Sequence, residues 1–307
     1  MKSQGPVAVI LIIALVAVGV IAYTKAEALT FTQQEILFDL LIIAGTLSLY
    51  CFIVGELTNN VSQVDKLWSI APIIYAGYTA YASNFEIRTC LVAVLIAIWG
   101  VRLSYNFARR GGYSWKFWTG EEDYRWEVLR NDPKFKNRWV WALFNFGFIS
   151  GYQMALILYF TLPILLTVDP ALGSELGVAD YLITLAMIGF IIIETIADQQ
   201  QYTFQSQKHG RMKMGEKLSP PYDKGFITTG LWSRMRHPNY MAEQGVWACV
   251  YAFSIVATGA WINWSIGGVF LLMILFRGSS DFSESISASK YPAYLQYQKE
   301  VSRFLPF

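Results

Sequence analysis

Gly230-Leu-Trp-Ser-Arg-Met-Arg-His-Pro-Asn-Tyr-Met-Ala-Glu243 runs straight into an apolar stretch that ends near Phe276. The junction sets Arg234, Arg236, His237, Asn239 and Tyr240 at the mouth of an apolar helix pair. Glu243 follows about one turn inside it. Lipid makes such groups costly unless they face a cavity or a partner. An anionic ligand reaching in from the water side accounts for the arrangement.

The rest of the chain has the composition of a membrane protein: 54% hydrophobic, 16% aromatic and 15% charged, with mean hydropathy +0.36. Stretches at 6–23, 36–55, 67–83, 88–106, 139–165, 179–197, 240–258 and 261–277 approach the roughly 20 apolar residues that cross a bilayer. The expected fold is therefore all-α, a polytopic bundle of about eight transmembrane helices. Lys2 before the first apolar run, with small residues near Ala26-Glu-Ala28, also suits a signal peptide. The length of that run and its single preceding charge favour a retained helix.

Basic residues set the orientation. Of 24 Lys and Arg, eight lie in 107–138, seven in 199–239 and four from Arg277 onward, while the loop 166–178 has none. The two long basic loops and the C-terminus then share the cytoplasmic side, and with eight spans the N-terminus joins them. A site there has access to cytosolic nucleotides.

Several chemistries are set aside. Cys51, Cys90 and Cys249 sit in expected spans without CxxC spacing and read as small packing residues. With only His209 and His237, a His-based metal cluster is not expected, and no phosphate-binding Gly-Lys loop or dinucleotide-type Gly spacing occurs. Any nucleotide must be held by membrane helices and their loops, with no nucleic-acid partner expected. The chain reads as one integral membrane domain of two characters. Residues 1–105 are mostly apolar helix, and 106–307 carry the polar loops, including Arg109-Arg-Gly-Gly-Tyr-Ser-Trp-Lys-Phe-Trp-Thr-Gly-Glu-Glu-Asp-Tyr-Arg-Trp126. Short interfacial helices are expected in 106–138, in 199–239 and in the tail, where aromatics suit the headgroup layer.

Gly230-Leu-Trp, Arg236-His-Pro-Asn-Tyr240 and Glu243, with Glu122-Asp-Tyr-Arg-Trp126, Asp198-Gln-Gln and Lys290-Tyr-Pro-Ala-Tyr294, carry a resemblance. Together they resemble the bacterial DUF1295-like membrane family grouped with the steroid 5-alpha-reductases. A broader kinship extends to sterol reductases and isoprenylcysteine carboxyl methyltransferases. The resemblance runs through 190–307 and again over 95–130. It implies a bacterial inner-membrane reductase of the 3-oxo-5-alpha-steroid 4-dehydrogenase type, with NADPH held by the C-terminal helices and cytosolic loops. A hydrophobic, lipid-like enone then enters from the bilayer, making 1–105 the substrate side and 106–307 the cofactor side.

A pyrophosphate and a ribose phosphate call for several cations, and arginine pairs with phosphate bidentately. Arg234, Arg236, Arg277 and Lys290 are candidates, with Arg109 and Arg110 from the other loop. The resemblance implies that Asn239 and Glu243 engage the nicotinamide carboxamide, and His237 is a further cofactor-binding candidate. It places Asp198 near the ribose and adenine end. Tyr240, Tyr291 and Tyr294 offer flat hydrogen-bonding faces. Plainer readings stand beside these: bases at a cytosolic helix end as topology signals, Pro238 opening a helix with Asn239 capping it. Glu194 and Asp198 also read as a buried pair with Arg102 or Arg277, and Glu122, Asp123 and Arg125 as an ion-paired loop.

Hydride arrival at an enone builds charge on the carbonyl oxygen, so a proton donor nearby lowers the barrier. The resemblance implies an early-helix acid, for which Val64-Asp-Lys-Leu-Trp-Ser69 offers Asp65, with Trp68 beside the substrate. Tyr105 is a second candidate. In the plainer reading Asp65 caps the third helix or pairs with Lys66. Two other functions stay open: an S-adenosylmethionine-dependent methyltransferase of the isoprenylcysteine type, and a non-enzymatic lipid-binding protein.

Overall fold

The computed structural model describes residues 4–25, 29–173 and 175–306. Lys2 and Ala26-Glu-Ala28, which bear on the signal-peptide reading, lie outside the described residues. Helices occupy all eight apolar stretches, and no strand occurs among the described residues. They are α1 (Gln4–Lys25), α2 (Phe31–Thr58), α3 (Gln63–Ala82), α4 (Ile87–Ala108), the short α5 (Tyr124–Arg130), α6 (Arg138–Phe144), α7 (Gln153–Thr161), α8 (Val178–Lys213), α9 (Pro238–Thr258), α10 (Ile266–Lys290) and α11 (Tyr294–Glu300). A π-helical segment, Asn145–Tyr152, joins α6 to α7.

The fold is all-α and polytopic. Five of these elements are long and apolar enough to cross a membrane: Phe31–Thr58, Ile87–Ala108, Arg138–Thr167, Val178–Lys213 and Ile266–Lys290. α3 and α9 are less apolar because they carry Asp65, Lys66 and three tyrosines, and Asn239, Glu243 and Gln244, respectively.

Two compact units emerge, Met1–Ile183 with Val250–Leu271, and Thr184–Cys249 with Leu272–Phe307. In the first, a capping box closes the start of α2: the Thr30 hydroxyl accepts from Gln33 N while the Gln33 side chain accepts from Thr30 N. Asn59 ends α2 in the left-handed region at φ 53°. α3 and α4 pack tightly enough that a Cβ on Gly100 would lie 2.6 Å from the Ser69 carbonyl oxygen. One turn further on, the Ser69 and Ser104 hydroxyls meet at 2.7 Å. Arg88 donates to Asp180 at 2.8 Å and to the carbonyls of Gly173 and Glu175, so this buried pair has its hydrogen bonds met by the chain. In the π-helical segment, buried Asn145 donates to Glu56 at 2.7 Å and accepts from Ser150.

In the second unit, α8 governs the layout. Its 36 residues reach about 54 Å at 1.5 Å per residue, well beyond a hydrocarbon core of about 30 Å. The expected interfacial helix in 199–239 is therefore replaced by the continuation of α8, and only a 3-10 turn, Gly230–Ser233, follows. The other two loops do contain short helices, α5 and α11. A Cβ on Gly245 of α9 would meet the Phe190 ring of α8 at 2.5 Å, so these two helices cross closely. Two aromatic clusters, Phe204–Ile227–Trp232 and Phe226–Tyr294–Tyr297, pin the loop and the tail down.

Candidate functional site

Pro238 opens α9, which its fixed φ and missing N–H favour at a first helical position. Asn239 thus lies inside the first turn rather than capping it. Its amide nitrogen donates to Asp198 Oδ1 on α8 at 3.2 Å, and its amide oxygen accepts from Tyr240 N at 3.0 Å. One turn deeper, the buried Glu243 carboxylate accepts from Trp247 Nε1 at 3.0 Å. Asp198, Asn239 and Glu243 therefore form a polar row within the second unit. Gln201, three residues beyond Asp198 on the same face of α8, adds a buried Oε1 with no hydrogen-bond partner among the described residues.

Arg236 and His237 are used differently. The Arg236 guanidinium is buried and donates to Glu284 Oε1 at 2.6 Å and to the Gln298 and Val301 carbonyls. His237 Nε2 lies 2.9 Å from the same Glu284 oxygen. Gln298 and Arg303 complete the ring around this carboxylate. Backbone bonds run alongside, from Arg236 N to Ser302 O and from His237 N to Arg303 O. These two side chains tie the C-terminal segment to the start of α9.

The remaining candidates scatter. Arg234 and Lys290 are exposed, and Arg277, also exposed, lies 3.7 Å from Asp281. Tyr240 stacks on the His237 ring with centroids 5.1 Å apart and tilts against Phe276. Tyr294 is buried in its aromatic cluster, and Tyr291 covers Gly225, where a Cβ would lie 2.1 Å from the ring. Gly225 has φ +80°, so both backbone and space select glycine there. Two surface hollows, of about 360 Å³ beside Gln207 and Glu216 and about 390 Å³ beside Glu35, Asp39 and Tyr78, include none of the candidate residues.

Asp65 and Tyr105 belong to the first unit. Tyr105 is 67% exposed on α4, with the Arg109 guanidinium 5.7 Å from its ring. Arg109 itself holds Asn106, and Arg110 donates to the Asn106 carbonyl. Asp65 lies in the first turn of α3, where its Oδ2 accepts from Trp126 Nε1 at 2.7 Å. Trp68, on the same face, packs against Phe160 with ring centroids 5.9 Å apart. Burial raises the Asp65 pKa above the ordinary carboxylate value, and the charge of Asp123 pushes it the same way, against Arg125 and hydrogen bonds from Trp126 and Ser62. At Asp123 burial pulls upward too, but the Arg125 guanidinium at 2.8 Å outweighs it and leaves the group below its usual value.

A family pattern described as "Protein of unknown function (DUF1295)" matches residues 51–301. The chain belongs to the DUF1295 family. It is 33% identical over 262 residues to the uncharacterized protein C594.04c of Schizosaccharomyces pombe, a match covering 81% of this chain and 73% of that protein. That relative is a yeast protein, so the match establishes the family and not a bacterial origin. No solved structure matches the chain.

The DUF1295 match spans every candidate from Asp65 to Tyr294. Four contributors escaped sequence reading. Glu284 sits in a serine-rich stretch late in α10 whose exposed neighbours mask it. Gln201 follows directly on Asp198-Gln-Gln but offered no charge to draw notice. Lys66 looked like a helix-end base, yet it is fully buried. Trp126 was visible within Glu122–Trp126 only as an aromatic of the loop.

Proposed function

We propose that this DUF1295 protein is a membrane-embedded reductase that uses NADPH to reduce the double bond of a hydrophobic enone, a steroid or another lipid. The observation that carries the reading is the row Asp198–Asn239–Glu243, bridged between α8 and α9 where the apolar stretches 179–197 and 240–258 meet polar sequence. A buried acid such as Glu243 inside an apolar stretch marks function by default.

The residues fit a dinucleotide at its nicotinamide and ribose ends. Gln201 offers an unused acceptor, and Asn239 and Glu243 an amide and a carboxylate. Exposed Arg234 and Lys290 are the cations free to meet phosphates, since Arg236 is committed to Glu284. NADPH, when bound, supplies the hydride. What the chain adds is orientation through the polar row and exclusion of water by the apolar helices. Within the first unit, Asp65 is the acid this reading assigns as proton donor, because its raised pKa keeps more of the acid form available. Asp65 is preferred to Tyr105, whose side chain is largely exposed.

Purified protein is tested first by thermal shift with NADPH, NADH and S-adenosylmethionine, then by NADPH oxidation with a panel of enones. Stabilisation by NADPH and enone-dependent oxidation are expected. Stabilisation by S-adenosylmethionine alone turns the reading toward a methyltransferase, and stabilisation by none of them toward a non-enzymatic lipid-binding role.

A further inference from the structure

The start of α3 is stitched to the loop 113–126 far more thoroughly than a surface loop requires. Lys66 Nζ donates to the Phe117 and Thr119 carbonyls at 2.9 and 2.8 Å, although Lys66 is fully buried. Gln63 holds the Trp118 carbonyl at 3.0 Å, and Asn60 holds that of Gly120 at 3.1 Å. In return, the Tyr113 hydroxyl donates to the Lys66 carbonyl, Glu122 accepts from Val61 N, and Asp123 N donates to the Ser62 hydroxyl. Each bond fixes one segment against the other, and burying an ammonium is tolerated because carbonyls surround it. At the end of this seam, the buried Trp126 ring delivers its N–H to Asp65.

We infer that Trp126 is a positioning residue for Asp65: the seam holds its indole N–H on one carboxyl oxygen, fixing the direction of the other and setting how readily the group gives up its proton. The inference deepens the reductase reading, in which Asp65 is the proton donor, and rests on it for its catalytic meaning. Packing alone would be served by any ring of that size, whereas the 2.7 Å contact joins two polar atoms. A donor to a carboxylate favours the charged form. It therefore offsets part of the burial that raises Asp65. The other ionisable groups facing Asp65 are Cys51 from α2, Asp123 and Arg125 from the loop and α5, and Lys66 on its own helix. Of these, Asp123 and Arg125 oppose one another, so the Trp126 bond is a neutral lever that acts without altering net charge.

The test reads Asp65 directly. The full-length protein in detergent is labelled with dicyclohexylcarbodiimide, which reacts with protonated carboxyls, across a pH series, and the Asp65 peptide is quantified by mass spectrometry. Trp126→Phe removes the N–H, and benzothienylalanine at position 126 removes it while keeping the ring shape, so that a folding defect in the first does not decide the result. Loss of the donor is expected to move the labelling midpoint up by about one pH unit, the size of a hydrogen bond to a charged group. In enone reduction the alkaline limb should shift by the same amount, with turnover falling about tenfold and KM for NADPH unchanged. A labelling midpoint that stays at the wild-type pH in the benzothienylalanine protein overturns the inference, whatever the activity does. A shifted midpoint in a protein that oxidises no NADPH retains the positioning of Asp65 and removes the reductase reading.

Discussion

Glu284 and Arg236 form a buried ion pair, with Arg236 Nε 2.6 Å from Glu284 Oε1, on side chains that are 2% and 8% exposed. His237, Gln298 and Arg303 close on the same carboxylate. Removing one member of such a pair leaves the other charge buried without compensation, a loss of about 3–5 kcal/mol. Glu284→Ala is therefore expected to lower the melting temperature strongly and to release the tail, read as protease cleavage after residue 290. Glu284→Gln keeps shape and some hydrogen bonds and should lose less. Equal, small effects of both variants would mean that the pair does not hold the tail.

Asn239 and Glu243 contribute in another way, since their partners lie on α8 and on α9 itself. Asn239→Ala leaves Asp198 without the amide at 3.2 Å, and Glu243→Ala strips the indole N–H of Trp247. Each change is expected to weaken NADPH binding at least tenfold, about 1.4 kcal/mol or more, while the protein still inserts. Titration by thermal shift checks this. Parent-like affinity in both variants would remove the polar row from the cofactor site.

Asp65 and Asp123 give stability opposite pH signatures. Asp65 has a folded pKa above its unfolded value, so its contribution is full at low pH and is lost as pH rises through the folded pKa. Asp123 has a folded pKa below its unfolded value, so its contribution is present at neutral pH and is lost as pH falls through the folded pKa. Asp65→Asn should accordingly stabilise the protein at neutral and alkaline pH, with the gain vanishing in acid, while turnover drops and cofactor affinity holds. Asp123→Asn should destabilise at neutral pH. It should also lower the Asp65 labelling midpoint, since it removes a like charge and frees Arg125. Melting curves across pH decide the first pair of signs, and an Asp65→Asn protein less stable than the parent at alkaline pH would reverse the account.

Hydropathy made the eight helices legible because lipid demands about 20 apolar residues per crossing, and the structure moves their ends by only a few residues except in α8 and α10. Those two run on past their apolar cores into polar sequence, which periodicity alone cannot separate from a loop. At the site, chemistry was readable and pairing was not. Arg236 and His237 were visible as a motif, but their partner Glu284 is 48 residues away from Arg236 and is brought near by the fold. Asp65 stood out as an acid at a helix start. The donor that defines it, Trp126, is 61 residues on and reaches it through a seam built of backbone carbonyls, which carry no sequence signal.

The α3–α4 crossing provides the last expectation, because it holds the helix that bears Asp65. Gly100 has φ in the helical range, so its need for glycine is one of space alone. A methyl there would meet the Ser69 carbonyl at 2.6 Å and the Ile73 side chain at 2.7 Å. Ile73 is flexible and can rotate, but the backbone oxygen cannot leave without moving α3. Gly100→Ala is expected to cost about 1–3 kcal/mol, the usual range for overpacking, and to part the Ser69–Ser104 contact one turn away. Gly77→Ala on α3, where a methyl has nothing within 4 Å, is the matched control and should be neutral or slightly stabilising. If both variants melt like the parent, the helices have room to separate and the crossing does not fix the height of Asp65.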